Sequence, residues 1–409
     1  MPAGFHRIIA AQFASALADN GLLIVAIAIL LERGLPAWWA PMLKLVFTLS
    51  YVLLAPFLGP LADEFPKARL MVWMNGVKIM GGVALLLGLN PLLAMSIVGL
   101  GAAAYAPAKY GLITEIVGPD QLVRANGWIE VSVVCAALLG TVLGGVLVNV
   151  RVIEVLHGLL PGGFGDSFSL GPSLLVLLMI YGLAGLLNTG IPHSGARYPA
   201  TAIHPIALIK DFFRANRLLW RDPEGGLSLA VTTIFWGLGA TLQFAVLKWS
   251  ADQLRLSLDQ SAYLQAAVAV GVVAGAGISG HWVGLHNAKR ILPAGVVLGV
   301  LISVTAHVQG VGMAVFLLAC VGVGGGILMV PLNALLQHRG FVLLSAGRSV
   351  AVQGFNENLS ILCMLGLYAA LLAAEMPIVP LMTLLGLGFS LAMGLLICRA
   401  LKSDSVRRH

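Results

Sequence analysis

Apolar runs long enough to cross a bilayer recur along the whole chain, and they constrain its fold more than any single residue does. About 20 helical residues, rising 1.5 Å each, span a hydrocarbon core of roughly 30 Å. Such runs fall near 7–31, 40–62, 69–89, 92–117, 124–149, 172–192, 225–249, 260–284, 289–308, 311–337, 345–373 and 377–400, punctuated by Gly, Pro or charge. Water cannot solvate this chain. Of its 409 residues 59% are hydrophobic and only 10% charged, against about 25% charged in soluble proteins. The expected fold class is all-α and integral to the membrane, with 12 transmembrane helices in two six-helix bundles.

A net charge of +7 raises the question of nucleic acid, but Lys and Arg stand between the apolar runs rather than on one basic face. Orientation accounts for them better. With a cytoplasmic N-terminus, 17 of the 24 fall on inside segments and five (Arg33, Lys44, Arg151, Lys248 and Arg255) outside, leaving Lys78 and Lys109 within helices. The positive-inside rule then places both termini in the cytoplasm. The first run exceeds a signal h-region and carries Asp19, so it reads as a retained helix. Cys135, Cys320, Cys363 and Cys398 lie in apolar runs without disulfide or zinc spacing and read as packing residues.

The longest inside segment divides the chain into an N-terminal bundle, 1–192, a basic linker, 193–222, and a C-terminal bundle, 223–409. In the linker Lys210, Arg214, Arg217 and Arg221 recur at steps of four, three and four beside Ile209, Phe212, Phe213 and Trp220. That pattern suits a helix lying on the anionic inner leaflet, and also a solvated linker that only obeys charge topology. The halves echo each other in Tyr105-Ala-Pro107-Ala-Lys109 and Met329-Val-Pro331-Leu-Asn333, as parallel bundle repeats would. Glycines cluster as Gly140, Gly144 and Gly145 and as Gly271, Gly275 and Gly277, spacings that let helices approach closely. The run Gly275-Ala-Gly277-Ile-Ser-Gly280 fits a dinucleotide fingerprint by letters but lies inside an apolar helix, which rules that reading out.

Between the second and third helices stands Gly59-Pro-Leu-Ala-Asp63-Glu64-Phe-Pro-Lys67-Ala-Arg69. Asp63 there can meet the dipole and bases of a neighbouring helix only while the inside mouth is closed, which makes Asp63, Lys67 and Arg69, with Arg124 on the next inside loop, the expected gating residues. The loop resembles the signature of the major facilitator superfamily, Gly, three residues, Asp, a base, then Gly and two bases. Glu64 stands in place of the base, and Pro66 and Ala68 in place of small turn residues. The second-half loop, His281 to Arg290, keeps only Lys289 and Arg290.

Ionisable groups at bilayer depth are costly and mark function. Asp19, Lys78, Lys109, Glu130 and Glu357 are such groups. Asp19 beside Asn20 can hold a cation or an ammonium group; Lys109, after Pro107, can meet a phosphate. Glu130 and Glu357 also suit structural pairing with Lys109 or Arg124, and Lys78 suits a buried partner for one of the carboxylates. Gln243 and Lys248, five apart, share roughly one side of the seventh helix, with Lys248 near the outer interface. Gln353, Asn356, Glu357 and Asn358 form a dense polar stretch in the eleventh. No P-loop, acyltransferase signature or metal-ligand cluster is present, so no cofactor, metal or enzyme activity is expected.

Ser15-Ala-Leu-Ala-Asp19-Asn20, Ala106-Pro-Ala-Lys109-Tyr-Gly111, Arg124-Ala-Asn-Gly127, Pro331-Leu-Asn-Ala-Leu-Leu-Gln337 and Val352-Gln-Gly-Phe-Asn-Glu-Asn358 resemble, in order and spacing, the bacterial lysophospholipid transporter family of the major facilitator superfamily. The resemblance runs from about residue 8 to 395. It implies a flippase in the bacterial inner membrane that moves lysophosphatidylethanolamine and lysophosphatidylglycerol to the cytoplasmic leaflet by alternating access; a monomer is expected. A partner acyltransferase–acyl carrier protein synthetase then reacylates them; with the chain ending at His409, that enzyme is expected as a separate protein. The implied substrate contacts are Asp19, Asn20, Lys109, Glu130, Gln243, Lys248, Asn356, Glu357 and Asn358. Relatives carry Arg at the position of Gln243, which shifts the expected phosphate contact to Lys248 or Lys109. Two rivals stand beside this reading: a proton-coupled exporter of amphiphilic drugs, and a membrane scaffold for the acyltransferase.

Overall fold

The computed structural model describes residues 1–2, 4–35, 39–159, 169–192, 194–196, 198, 204–256 and 258–406. Arg197, Arg407 and Arg408, counted above among the inside charges, and parts of the 193–222 linker lie outside these. Among the described residues there is no strand. The helices are α1 (Phe5–Glu32), α2 (Trp39–Leu53), α3 (Ala55–Glu64), α4 (Lys67–Leu86), α5 (Pro91–Ile116), α6 (Pro119–Leu147), α7 (Val150–Leu159), α8 (Gly171–Thr189), α9 (Pro205–Arg221), α10 (Pro223–Leu254), α11 (Leu258–Trp282), a 3-10 turn (Leu285–Ile291), α12 (Leu292–Thr305), α13 (Val311–Leu343), α14 (Ala346–Ala373) and α15 (Ile378–Val406). Among the described residues eleven stretches are long and apolar enough to cross a membrane, and α2 with α3, bent by 65° at their break, pass the same test together.

The bend is where the sequence pattern and the structure part. The run 40–62 reads as one helix, but Pro56 enters the first turn of α3 and cannot donate a backbone hydrogen bond, so the ladder breaks at Leu54. Prolines opening α8 and α10 use the same missing donor where a helix start leaves it unneeded. Pro107 and Pro331, the echoed pair, sit inside α5 and α13. The short helix α7 lies in a stretch that the apolar runs leave as a connection.

The chain forms two compact units. One comprises Met1–Ile116, Cys135–Phe213 and Ser345–Gly354; the other Val117–Val134, Arg214–Leu344 and Phe355–His409. Each thus takes in a short stretch from the opposite half of the sequence: the first turns of α14 belong to the first unit, and the first turns of α6 to the second. In the first unit α4 packs on α5 and α8, α1 on α8, and α2 on α5. Its apolar core includes Leu22, Val25, Ile29, Leu43, Met95 and Leu177. In the second unit α11 packs on α13, and α12 on α15 and α13. The α11–α13 contact is a backbone approach: a Cβ on Gly271 or Gly275 would collide with the carbonyls of Ala319 or Val323, and one on Gly322 or Gly326 with those of Val268 or Val272. Small residues at this seam replace the hydrophobic drive that lipid does not supply.

Candidate functional site

Gln12, Ser15 and Asp19 follow one another along α1 at steps of three and four, so they share a face. In the first unit that face meets Lys78 of α4, whose ammonium lies 2.7 Å from Asp19 Oδ2 and donates to Ser15 Oγ at 2.9 Å. Tyr181 of α8 donates its hydroxyl to Asp19 Oδ1 at 2.7 Å, and Ser15 donates onward to Asn75 Oδ1 at 2.8 Å. The rings of Tyr105 and Tyr181, with centroids 5.2 and 5.7 Å from the Lys78 ammonium, complete its surroundings. A buried ion pair needs further hydrogen bonds to offset its desolvation, and Ser15 and Tyr181 supply two of them. The pair is lopsided. The Lys78 side chain is 2% exposed and that of Asp19 18%, so the cation is sealed while the carboxylate keeps an open edge. A carboxylate has lone pairs for about four hydrogen bonds, leaving Asp19 room for another donor.

Two turns nearer the N-terminus, about 10 Å along the helix axis, Gln12 Oε1 accepts from the Lys109 ammonium at 2.7 Å. Lys109 also lies 4.1 Å from the centroid of the Tyr110 ring. The amide of Asn20 donates back to Ala16 O at 2.8 Å.

Asp63 caps α14. It accepts from Gly347 N at 2.9 Å and from the Ser345 hydroxyl, placing a carboxylate against a helix N-terminus where the backbone dipole favours it. Lys67 stands 3.6 Å from Asp63 and 2.6 Å from Glu115, with the Tyr198 ring 4.7 Å away. Tyr198 donates to Glu115 at 2.7 Å, and burial together with that bond pushes the Tyr198 hydroxyl well above its ordinary pKa. Glycine lets the backbones meet: a Cβ on Gly59 would lie 2.9 Å from Arg348 Cα.

A second clasp holds the first turns of α6. Asn126 and Gln337 exchange two amide hydrogen bonds, each of 3.0 Å, both side chains being buried. Beside them a Cβ on Gly127 would stand 3.0 Å from Ala276 O and 3.2 Å from Gly280 Cα. Nearby in the same unit Asp222 caps α10 and receives Arg339 through both oxygens, at 3.1 and 2.6 Å. Burial raises the Asp222 carboxyl, but Arg339 and the backbone donors outweigh it and hold the pKa below its usual value.

The sequence profile of the Major Facilitator Superfamily matches residues 8–341. A protein named Lysophospholipid transporter LplT from Yersinia enterocolitica is 40% identical over 377 residues, covering 92% of this chain and 89% of that protein. This chain belongs to the bacterial lysophospholipid transporter family of the major facilitator superfamily. Solved structures agree on the fold: the human organic anion transporter MFSD10 superposes with a TM-score of 0.72 at 12% identity, covering 98% of this chain and 100% of that one. The E. coli fucose:proton symporter FucP gives 0.72 at 12% identity and 97% coverage of both.

Within this transporter the residues singled out by sequence fall in different settings. Asp19, Asn20 and Lys109, with Asp63, Lys67 and Arg69, are in the first unit; Arg124, Glu130, Gln243, Lys248, Asn356, Glu357 and Asn358 are in the second. Arg69 and Arg124 are exposed, and Glu130 is buried. The Gln243 carbonyl accepts from Gln265 at 2.7 Å. Lys248 is an exposed cation 2.9 Å from Asp252, its neighbour one turn on. Asn356 accepts from Trp220 Nε1 at 3.1 Å and donates to Asn216 Oδ1 at 2.9 Å, so its side chain is bound to α9. Glu357 and Asn358 follow it, half-buried.

Ser15, Asn75 and Tyr181, which organise Asp19, and the Asn126–Gln337 pair stand outside the candidate residues that the sequence pattern offered. For Ser15 and Gln12 the signal was present: polar residues four and seven positions before Asp19 mark a helical face. Nothing local in the sequence pairs Asn126 with a residue 211 positions away.

Proposed function

We propose that this protein is a lysophospholipid flippase, moving lysophosphatidylethanolamine and lysophosphatidylglycerol across the bacterial inner membrane to the cytoplasmic leaflet. There an acyltransferase–acyl carrier protein synthetase reacylates them. The observation that carries the reading is a carboxylate with one open edge, Asp19, held by a sealed cation in a helix of a chain 40% identical to a named lysophospholipid transporter. The ethanolamine ammonium adds to the open edge of Asp19, while Lys78, Ser15 and Tyr181 fix the carboxylate and compensate its charge. Lys109, two turns away, meets the phosphate.

With both termini cytoplasmic, the turns before α4, α6 and α14 lie on the inner side. Asp63 with Ser345 and Gly347, and Asn126 with Gln337, then act as inner clasps in alternating access: they hold while substrate enters from the outer leaflet and open to release it.

The test is uptake by spheroplasts given labelled lysophosphatidylethanolamine or lysophosphatidylglycerol outside, followed as diacyl lipid, with and without an uncoupler. The double variant Asp19→Asn/Lys78→Met removes the pair without stranding a charge. Its ethanolamine lipid uptake should drop at least about tenfold, a loss of roughly 1.4 kcal/mol of differential binding, with the glycerol lipid less affected. Undiminished uptake of both lipids would refute the headgroup assignment. Collapse of wild-type uptake by the uncoupler, with drug resistance on overexpression, would favour the proton-coupled exporter.

A further inference from the structure

Helix α9 joins the two sets of spans, and a single residue, Asp222, separates its end from α10. At about 100° per residue its surface divides into three sectors. Phe212, Ala215 and Leu219 point into protein and are buried. On the outward side Ile206, Ile209, Phe213 and Trp220 form one exposed strip, with Ile206 58% and Phe213 53% exposed. Lys210, Arg214, Arg217 and Arg221 form the exposed strip next to it. Water suits the second strip and lipid tails the first. Only the headgroup layer of a bilayer offers both side by side, with anionic phosphates opposite the bases and acyl chains opposite Ile206 and Phe213.

The helix is also tied to the polar stretch of α14. Trp220 and Asn216, one turn apart on α9, hold the two ends of the Asn356 amide, at 3.1 and 2.9 Å. Whatever fixes α9 therefore fixes the residue preceding Glu357 and Asn358.

We infer that α9 is a binding site for anionic phospholipid headgroups, and that through Trp220, Asn216 and Asn356 it makes transport respond to the charge of the leaflet it lies on. Asn356 is then a positioning residue rather than a substrate contact. The uptake consequence builds on the lysophospholipid reading above; the lipid binding does not.

Two measurements on the full-length protein separate them. In nanodiscs of zwitterionic phosphatidylcholine alone or with about one third phosphatidylglycerol, hydrogen–deuterium exchange of residues 204–221 reports binding. Protection should increase several-fold with phosphatidylglycerol and be lost in high salt and in the variant Lys210→Gln/Arg214→Gln/Arg217→Gln/Arg221→Gln. Protection indifferent to lipid charge overturns the site. In proteoliposomes of the same compositions, lysophospholipid uptake by the wild type should rise several-fold with phosphatidylglycerol. Asn356→Ala and Trp220→Phe should flatten that rise while leaving the exchange protection in place. An undiminished rise in Asn356→Ala overturns the link to α14. No uptake by the wild type in either membrane, with charge-dependent protection intact, would sink the transport reading and leave the lipid site standing.

Discussion

Splitting the Asp19–Lys78 pair should cost far more than removing it whole. Asp19→Ala leaves an ammonium that is 2% exposed facing Ser15 and two aromatic rings, with Tyr181 losing its acceptor. Breaking a buried pair from one side costs about 3–5 kcal/mol, and this variant belongs at the upper end. Lys78→Met leaves a carboxylate that is 18% exposed and still bonded to Tyr181, so about 3 kcal/mol is expected. In Asp19→Ala/Lys78→Met no charge remains, a flexible apolar chain replaces a sealed cation, Ser15 keeps its bond to Asn75, and the residual cost is the orphaned Tyr181 hydroxyl, about 1–3 kcal/mol. The cycle therefore closes with a coupling of roughly 5 kcal/mol or more. Equilibrium unfolding of the four proteins in mixed micelles, followed by circular dichroism, measures it. Additive losses would mean that the two groups do not hold each other in the folded protein, and the derivation of an oriented, half-open carboxylate would collapse with them.

Gly127→Val should destabilise the second clasp by about 1–3 kcal/mol, because the added atoms meet the backbone of Ala276 and Gly280 rather than a side chain that could swing away; unfolding midpoint and uptake should both fall. Asp63→Asn keeps a hydrogen-bonding cap on α14 but loses the charge, a cost of about 0.5–1 kcal/mol, whereas Asp63→Ala loses the cap as well, about 1 kcal/mol more; midpoints that do not follow that order would sink the capping role. The Asp222 carboxyl is held below its ordinary value of 3.8 in the folded protein, so its stabilisation is complete above that pH and is lost as pH falls through the lower folded value. The gap in unfolding midpoint between wild type and Asp222→Asn should accordingly stay level from about pH 7 to 5 and close only in stronger acid.

Spans were legible because lipid demands a run of apolar residues wherever a helix crosses, and that demand is local. Where a boundary depended on one missing hydrogen bond, as at Pro56, hydropathy averaged across it and saw one helix instead of two. α7 escaped for the converse reason: a ten-residue helix is too short to stand out as a span. Asp19 and Lys109 announced themselves as charges in the wrong solvent. Their neighbours did not, since serine, asparagine and tyrosine cost little inside a helix and become informative only when packing brings three helices to one carboxylate. The pattern around Asp63 pointed to a neighbouring helix dipole but not to which helix, and the Asn126–Gln337 pair left no signal, since Gly347 and Gln337 each stand more than 200 residues from their partners.

The spacing of Asp19 and the Lys109 contact along α1 bears on how one headgroup is handled. Among the described residues the buried cations, Lys67, Lys78 and Lys109, all belong to the first unit. Lys67 is engaged by Asp63 and Glu115, and Lys78 holds Asp19. Lys109 meets α1 at Gln12, about 10 Å from Asp19 along the helix axis. On the proposed flippase reading, phosphate at Lys109 and ammonium at Asp19 are two stations for one headgroup. On that reading Lys109 would serve every phosphate-bearing headgroup, Asp19 would distinguish those that carry an amine, and no cation would be needed at Gln243.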